Sequence, residues 1–383
     1  MTTMRLFDTR SQTLRDVVAG DTVRLYVCGI TPYDAAHLGH AFTYVTFDVL
    51  VRYLTHLGHR VVHVRNVTDV DDDILRTARD RGVDFRELAE RETATFEREL
   101  ERLGCLPPSA APRATEVIPA IQTAVRGLLR NGHAYALDDG RVYFEVASAP
   151  RFGALSQLER QDMLRTFGEN GGDPDAPGKR DPLDFLLWQP SADGEPRWDS
   201  EWGPGRPGWH IECSVMAMEE LGATIDVHGG GRDLVFPHHE AEIVQAEHLT
   251  GQGPFSRLWV HTGMVGMTGT KMSKSLGNLV FTGDLLERYE GGALRRYLLE
   301  HHYRSDWDFD EDALHDAHSA HKLWLDAAGT EGRDDAAAEA VHAALADDLD
   351  TPRALSALDE AAQRGAGATV RDLGRLLGFA VPA

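Results

Sequence analysis

The chain has 383 residues, 42% hydrophobic and 26% charged, with a formal net charge of −22, which gives a two-domain prior and room for a sizeable core. No apolar run approaches the roughly 20 residues of a membrane span, Met1–Arg15 lacks the apolar stretch of a secretory signal, and Cys28, Cys105 and Cys213 are too few for a disulfide framework, so the expectation is a cytoplasmic protein with no membrane partner. The acidic balance, with no Lys/Arg run, also lacks the basic footprint of a protein that grips nucleic acid.

In chain order, residues 24–29 read as a buried strand ending in a Gly turn. A helix follows over Leu38–Leu57, with Phe42, Val45, Val49, Leu50 and Leu54 near helical spacing, and Gly58 ends it. Arg60–Val67 alternates as a second strand. Strand, helix and strand together predict an α/β fold with a doubly wound parallel sheet, whose ligands bind at the carboxyl ends of the strands. Residues 84–103 and 114–131 read as amphipathic helices. Between about 150 and 210 the chain is rich in Pro and Gly, notably Gly171–Pro174 and Gly203–Gly208. Further on, Ile211–Leu221 reads as helix, Thr224–His228 as strand and Glu240–Leu249 as helix. The pattern is all-helical from about 284, and Gly329–Ala338 reads as a mobile linker. The predicted division is 1–110 for the first half of the sheet domain, 111–205 for an insertion, 206–283 for the second half, and 284–383 for a C-terminal helical domain.

Three groups of residues carry chemistry. Only four lysines occur against 35 arginines, and two of them fall in Lys271-Met272-Ser273-Lys274-Ser275. Lysine is a compact point charge on a flexible stem, suited to a phosphate whose geometry changes. His37-Leu38-Gly39-His40 opens the first long helix, where oriented N–H groups favour anions. Cys28 ends the first strand, Cys213 lies on a predicted helix, and His238 and Glu242 share one helical face. Two thiols, an imidazole and a carboxylate suit zinc, although without a CxxC the spacing alone favours small buried core cysteines and histidines held by local hydrogen bonds. Cys105, beside Leu103 and Leu106, reads as core. Gly229-Gly230-Gly231 follows a strand and permits close backbone approach or a simple turn. The acidic run Asp69, Asp71, Asp72, Asp73 reads as a helix start rather than a cation site.

Together, Tyr26–Gly29, His37–His40, Asn66–Asp69, Gly205–Cys213, Gly229–Glu240 and Lys271–Asn278 resemble the signature blocks of class I aminoacyl-tRNA synthetases, specifically the cysteinyl-tRNA synthetase superfamily. Gly29–Asp34, Gly171–Gly178, His261–Met264 and Leu345–Pro352 are similar to that superfamily's mycothiol-biosynthesis branch, the ligases that join cysteine to the amine of glucosaminyl-inositol (GlcN-Ins). The resemblance implies a class I Rossmann catalytic domain and an AMP-forming ligase that works through cysteinyl-adenylate. His37 and His40 would donate to ATP phosphates, and Lys271 and Lys274 would close over pyrophosphate. Thr43, Asn66, Val67, Gly231, Arg232, Asp233, Val265 and Ser273 would contact ATP or the adenylate. Cys28, Gly29, Ile30, Thr31, Thr68 and Trp209 would line the cysteine pocket. One Zn2+ per chain would sit on Cys28, Cys213 and His238, with Glu242 a candidate fourth ligand, and Mg2+ would accompany ATP. The implied partners are L-cysteine, ATP and GlcN-Ins, with no tRNA, and the implied state is a monomer. The alternatives are a short cysteinyl-tRNA synthetase, whose fourth zinc ligand Glu242 matches, and a diverged relative that offers cysteine to another small amine. From the length that follows Asp312, no portion like the tRNA enzyme's anticodon-reading one is expected.

Overall fold

The structure, a computed structural model, describes residues 4–17, 20–267, 269–271, 277 and 279–381, with Thr270 and Lys271 described in their backbone only. A hairpin of β1 (Arg5–Asp8) and β2 (Thr13–Asp16) comes first. Then β3 (Thr22–Ile30), α1 (Leu38–His56) and β4 (Arg60–Val67) form the predicted strand–helix–strand unit. α2 (Asp72–Arg81) starts where the acidic run predicted a helix. The Asp71 side chain caps it by accepting from the Ile74 N–H at 2.9 Å, and Gly82 ends it in the left-handed region at φ 65°. Asp72 and Asp73 in its first turn and Arg79 and Arg81 in its last complement the helix dipole. α3 (Phe85–Arg102) follows, capped by Asp84.

The next segment builds a separate small layer. α4 (Ile118–Arg130) starts four residues later than the sequence pattern suggested, because Ala114–Glu116 forms a single tight turn and Pro119 suits a helix's first turn. β5 (Ala134–Ala136), β6 (Val142–Phe144), β7 (Phe185–Pro190) and β8 (Gly205–Pro207) make an antiparallel sheet, with α5 (Arg160–Glu169) between β6 and β7. The main sheet then resumes with α6 (Trp209–Leu221), β9 (Ile225–Gly231), α7 (Glu240–Thr250) and β10 (Ser256–Thr262). Its strand order is β10-β9-β3-β4 and every pairing is parallel. The chain leaves β3 toward β4 on one side and reaches β9 on the other, so the switch point that opens a crevice lies between β3 and β9.

β11 (Val265–Met267) pairs antiparallel with β12 (Thr270–Lys271). After α8 (Thr282–Leu286) and α9 (Gly291–Leu299), β13 (Trp307–Asp308) pairs parallel with β11, so the region expected to be all-helical contributes a strand. Four helices complete the chain: α10 (Glu311–Ala327), α11 (Asp335–Ala346), α12 (Thr351–Gln363) and α13 (Gly367–Leu376). The expected linker at Gly329–Ala338 instead runs into α11 at Asp335. Asp334 caps α11 by accepting from the Ala337 N–H at 2.9 Å, and Arg371 donates to the Ala328 and Thr330 carbonyls, so this stretch is pinned to α13.

One hydrophobic core runs from Leu6 and Val23 through Phe42, Val45 and Tyr53 of α1 to Trp324, Leu358 and Val381. Buried within it is an ionic clamp. Arg295 on α9, fully buried, donates to the Leu103 carbonyl at 2.9 Å, to the Leu377 carbonyl at 2.7 Å and to Asp48 on α1. Asp48 also accepts from Arg52 at 2.8 Å and from the Leu106 N–H at 2.7 Å. Cys105 is half-buried against this core, as expected. Among the described residues no helix is long and apolar enough to cross a membrane.

Candidate active site

The carboxyl ends of β3, β4, β9 and β10 converge, and their tips are locked together before any ligand is considered. Asn66, buried near the end of β4, accepts from the Gly29 N–H at 2.8 Å and donates to Thr68 Oγ1 at 3.2 Å, while the Thr68 N–H donates to the Ile30 carbonyl at 2.9 Å. The two backbones approach so closely that a Cβ on Gly29 would sit 1.6 Å from the Asn66 carbonyl oxygen. Only glycine fits there. Gly229 on β9 is equally constrained, since a Cβ would meet the Phe47 ring at 2.1 Å. Val67 is tied to the Pro112 carbonyl through its N–H at 2.9 Å, which fixes the outer side of the same tip.

The start of α1 faces this crevice. His37 is its N-cap and Nδ1 accepts from the Gly39 N–H at 3.1 Å; its ring stacks on His40 with centroids 3.8 Å apart. One turn on, Thr43 donates to the Gly39 carbonyl at 3.1 Å and meets Thr262 Oγ1 at 2.7 Å, joining the helix start to the end of β10. Gly231 ends β9, and Arg232 and Asp233 lie exposed in the turn after it, with Arg232 paired to Asp306 at 2.9 Å. Val265 is buried on β11. Lys271 stands opposite Gly266 in the β11–β12 register, whereas Ser273 and Lys274 lie outside the described residues.

Below the crevice, the four predicted metal donors come together. The ligand atoms of Cys28, Cys213, His238 and Glu242 all lie within 4.8 Å of one another, and all four residues are buried. Cys28 Sγ is 3.4 Å from Glu242 Oε1, and His238 Nε2 is 3.3 Å from the same oxygen. Glu242, at 0% exposure, keeps a carboxylate oxygen with no hydrogen-bond partner among the described residues. A bare buried carboxylate beside two thiols is costly unless a cation joins it, so this donor set fits a soft divalent ion. Burial and the neighbouring Cys213 push the Glu242 carboxyl well above its usual range. Burial also raises Cys28, and the hydrogen bond from Cys28 together with His238 holds Cys213 down, so Cys213 is the thiolate-leaning member of the pair.

Three histidines that sequence reasoning passed over complete the cluster. His210 Nδ1 meets His238 Nδ1 at 2.9 Å, which leaves His238 Nε2 turned to the donors. His228 and His239 form a second set with Cys28 and Glu242, His239 Nε2 lying 3.2 Å from Cys28 Sγ. Burial lowers the pKa of His210, His228 and His239, keeping them neutral with a lone pair to offer. Their signal was visible in Trp209-His210 and in the His238-His239 doublet, but nothing in spacing shows that β9 brings His228 there. Trp209, first residue of α6, stacks on His238 with centroids 4.2 Å apart.

An acidic rim borders the β3 and β4 tips. Thr31 hydrogen-bonds Asp71, and Asp69 accepts from the Thr115 N–H at 2.9 Å and from Thr115 Oγ1 at 2.6 Å. Glu212 on α6, at 0% exposure, has neither carboxylate oxygen hydrogen-bonded among the described residues.

The profile of the tRNA synthetases class I (C) catalytic domain matches residues 14–319. Proteins named L-cysteine:1D-myo-inositol 2-amino-2-deoxy-alpha-D-glucopyranoside ligase are similar along nearly the whole chain. The one from Rhodococcus jostii is 49% identical, covering 94% of this chain and 88% of its own. That from Streptosporangium roseum is 46% identical, covering 97% and 93%. Among solved structures, Mycobacterium tuberculosis methionyl-tRNA synthetase in complex with methionyl-adenylate superposes with a TM-score of 0.60 at 18% identity, over 93% of this chain and 82% of that one. The Agrobacterium radiobacter leucyl enzyme reaches 0.65 at 12% identity, over 94% and 84%. Those two share the fold. The relatives, the profile and the parallel sheet with its switch-point crevice agree: the chain belongs to the class I (C) synthetase family, in the group of cysteine:glucosaminyl-inositol ligases.

Proposed function

We propose that the protein activates L-cysteine with ATP and ligates it to the amine of GlcN-Ins, a step of mycothiol biosynthesis, releasing pyrophosphate and AMP. The observation that carries this reading is the buried Cys28/Cys213/His238/Glu242 donor set lying beneath a crevice whose rim is the His37–His40 helix start. In the first half-reaction the cysteine carboxylate attacks the α-phosphorus. Negative charge gathers on phosphate oxygens, so placement and electrostatic stabilisation dominate. His37 and His40 hold the ATP phosphates at the α1 N-terminus, and Lys271 and Lys274 close over the departing pyrophosphate with Mg2+ accompanying ATP. Thr43, Asn66, Val67, Gly231, Arg232, Asp233, Val265 and Ser273 surround the adenylate. In the second half-reaction the neutral acceptor amine attacks the activated carbonyl.

Zn2+, one per chain, is the ion proposed for the donor set, and bound there it supplies a soft site that favours sulfur over oxygen. That preference, with Gly29, Ile30, Thr31, Thr68 and Trp209 shaping the pocket, separates cysteine from serine. The protein acts as a cytoplasmic monomer without tRNA. The test supplies cysteine and ATP with GlcN-Ins or tRNA in parallel and reads products by mass spectrometry. Cysteinyl-GlcN-Ins without charged tRNA is expected; charged tRNA alone overturns the reading.

A further inference from the structure

The pieces proposed to handle ATP belong to separate elements. One wall of the adenylate pocket is the turn after β9, Gly231–Asp233, and another is Val265 on β11. A third piece, the β11–β12 hairpin, carries Lys271. β11 lies outside the four-stranded parallel sheet that contains β9, so the ladder of that sheet does not set the spacing between them.

What crosses the gap is a short segment of the C-terminal part, Asp306-Trp307-Asp308. The Asp306 carboxylate accepts from the Met264 N–H at 2.7 Å, just ahead of Val265, and pairs with Arg232 at 2.9 Å. Arg232 also donates to the Arg304 carbonyl, so the turn after β9 is tied to this segment twice. Trp307 stands in register with Val265, donates its N–H to the Met264 carbonyl at 3.1 Å and packs edge-to-face on Phe42 of α1, with ring centroids 5.4 Å apart. Asp308 accepts from the Gly269 N–H at 2.5 Å, in the hairpin turn ahead of Lys271. The backbone is stitched as closely: a Cβ on Gly263 would sit 2.1 Å from the Ser305 carbonyl oxygen, and the Gly263 N–H donates to the Tyr303 carbonyl at 2.6 Å.

An exposed ion pair such as Arg232–Asp306 holds little by itself. Here the carboxylate is fixed at its other side by a charge-assisted bond to a backbone N–H. Displacing it therefore shifts the entry to β11 together with the turn after β9. Building on the cysteine-activation reading, we infer that Asp306-Trp307-Asp308 is a strap that positions the nucleotide site, with a different task at each end. Asp306 is the positioning residue for ATP binding, because it sets the spacing of the two adenylate walls. Asp308 is the positioning residue for the lysine hairpin, because it fixes the turn from which Lys271 approaches the departing pyrophosphate. Losing the first shows in ground-state binding, and losing the second shows in the rate of the chemical step.

Single-turnover formation of cysteinyl-adenylate over a range of ATP concentrations separates the two, with Tm and metal content read for each variant. Asp306→Ala should raise the half-saturating ATP concentration at least about fivefold and leave the limiting rate within about twofold. Asp306→Asn keeps an acceptor for the Met264 N–H and should raise it less. Adding Arg232→Ala to Asp306→Ala should change it by less than about twofold, since both remove one contact. Asp308→Ala should slow the limiting rate at least about tenfold with half-saturation within about twofold of wild type. If either alanine variant moves both parameters alike, or neither parameter, or if the two effects are exchanged, the inference is overturned. A lowered Tm with rate and half-saturation lost together marks a merely structural segment and also overturns it. Wild-type protein that forms an adenylate with another amino acid overturns the cysteine reading, and the strap is then measured with that amino acid. Wild-type protein that forms no adenylate overturns the activation reading and the strap with it.

Discussion

Replacing Arg295 with methionine should loosen the joint between the sheet and the C-terminal helices. The guanidinium donates to Asp48, to the Leu103 carbonyl and to the Leu377 carbonyl from a fully buried position. Removing one partner of a buried pair costs about 3–5 kcal/mol, chiefly because the other charge is stranded. Here Asp48 keeps Arg52 at 2.8 Å and the Leu106 N–H at 2.7 Å, which places the cost near the lower end, about 3 kcal/mol. Burial opposes the ionised Asp48 carboxyl, but Arg295 and then Arg52 outweigh it and hold its pKa below the ordinary value. A depressed carboxylate adds stability above its unfolded pKa and loses it as pH falls through the folded pKa, so the deficit is fully present at neutral pH. Urea unfolding followed by fluorescence and circular dichroism measures it, with coincident transitions as the check on cooperativity. The decisive comparison is Asp48→Asn combined with Arg295→Met. With no stranded charge, the double variant should recover about 1 kcal/mol or more of the single variant's loss. A double variant no more stable than Arg295→Met would refute the stranded-charge argument.

Cys213→Ala should remove bound metal and lower cysteine-dependent pyrophosphate exchange at least about a hundredfold; elemental analysis of the purified variant, read beside its exchange rate, checks both. Gly29→Ala places a Cβ 1.6 Å from the Asn66 carbonyl and should cost about 1–3 kcal/mol by forcing the β3 and β4 tips apart, visible as a lower Tm with weaker cysteine binding. Glu99, lifted to about 7 mainly by burial, has a folded pKa above its unfolded one. Stability from this group therefore falls as pH rises from about 4.5 to about 7. Glu99→Gln should gain in Tm over wild type across that window and hold the gain above it; a gain equal at both ends would contradict this.

The elements nearest the site were legible because they obey local rules. The α1 span and β4 follow apolar periodicity, and the Asp71–Asp73 run announced a helix start that the structure places at Asp72. The donors Cys28, Cys213, His238 and Glu242 were nameable from residue type and from the block resemblance, and their approach within 4.8 Å is a product of sheet order. His228 was not nameable, since its place beside Cys28 depends on β9 lying next to β3. Likewise Trp307-Asp308 is too short for any alternation signal, and only its pairing with Val265-Gly266 makes it a strand. The linker reading of Gly329–Ala338 failed because Gly and Asp composition does not reveal the anchoring by Arg371 and the Asp334 cap.

The short ribbon β12-β11-β13 has a consequence for how the molecule comes into being. Lys271 hangs on β12, β12 on β11, and β11 is flanked on its other edge by Trp307-Asp308. During synthesis the β12 strand therefore gains its full support only after the ribosome has released the chain through Asp308. A nascent chain halted before that point carries all four candidate metal donors with His37 and His40 yet lacks the brace for β12. Completion of the ribbon is thus deferred to the late stages of translation, and shortened fragments made by premature termination would lack its outer strand.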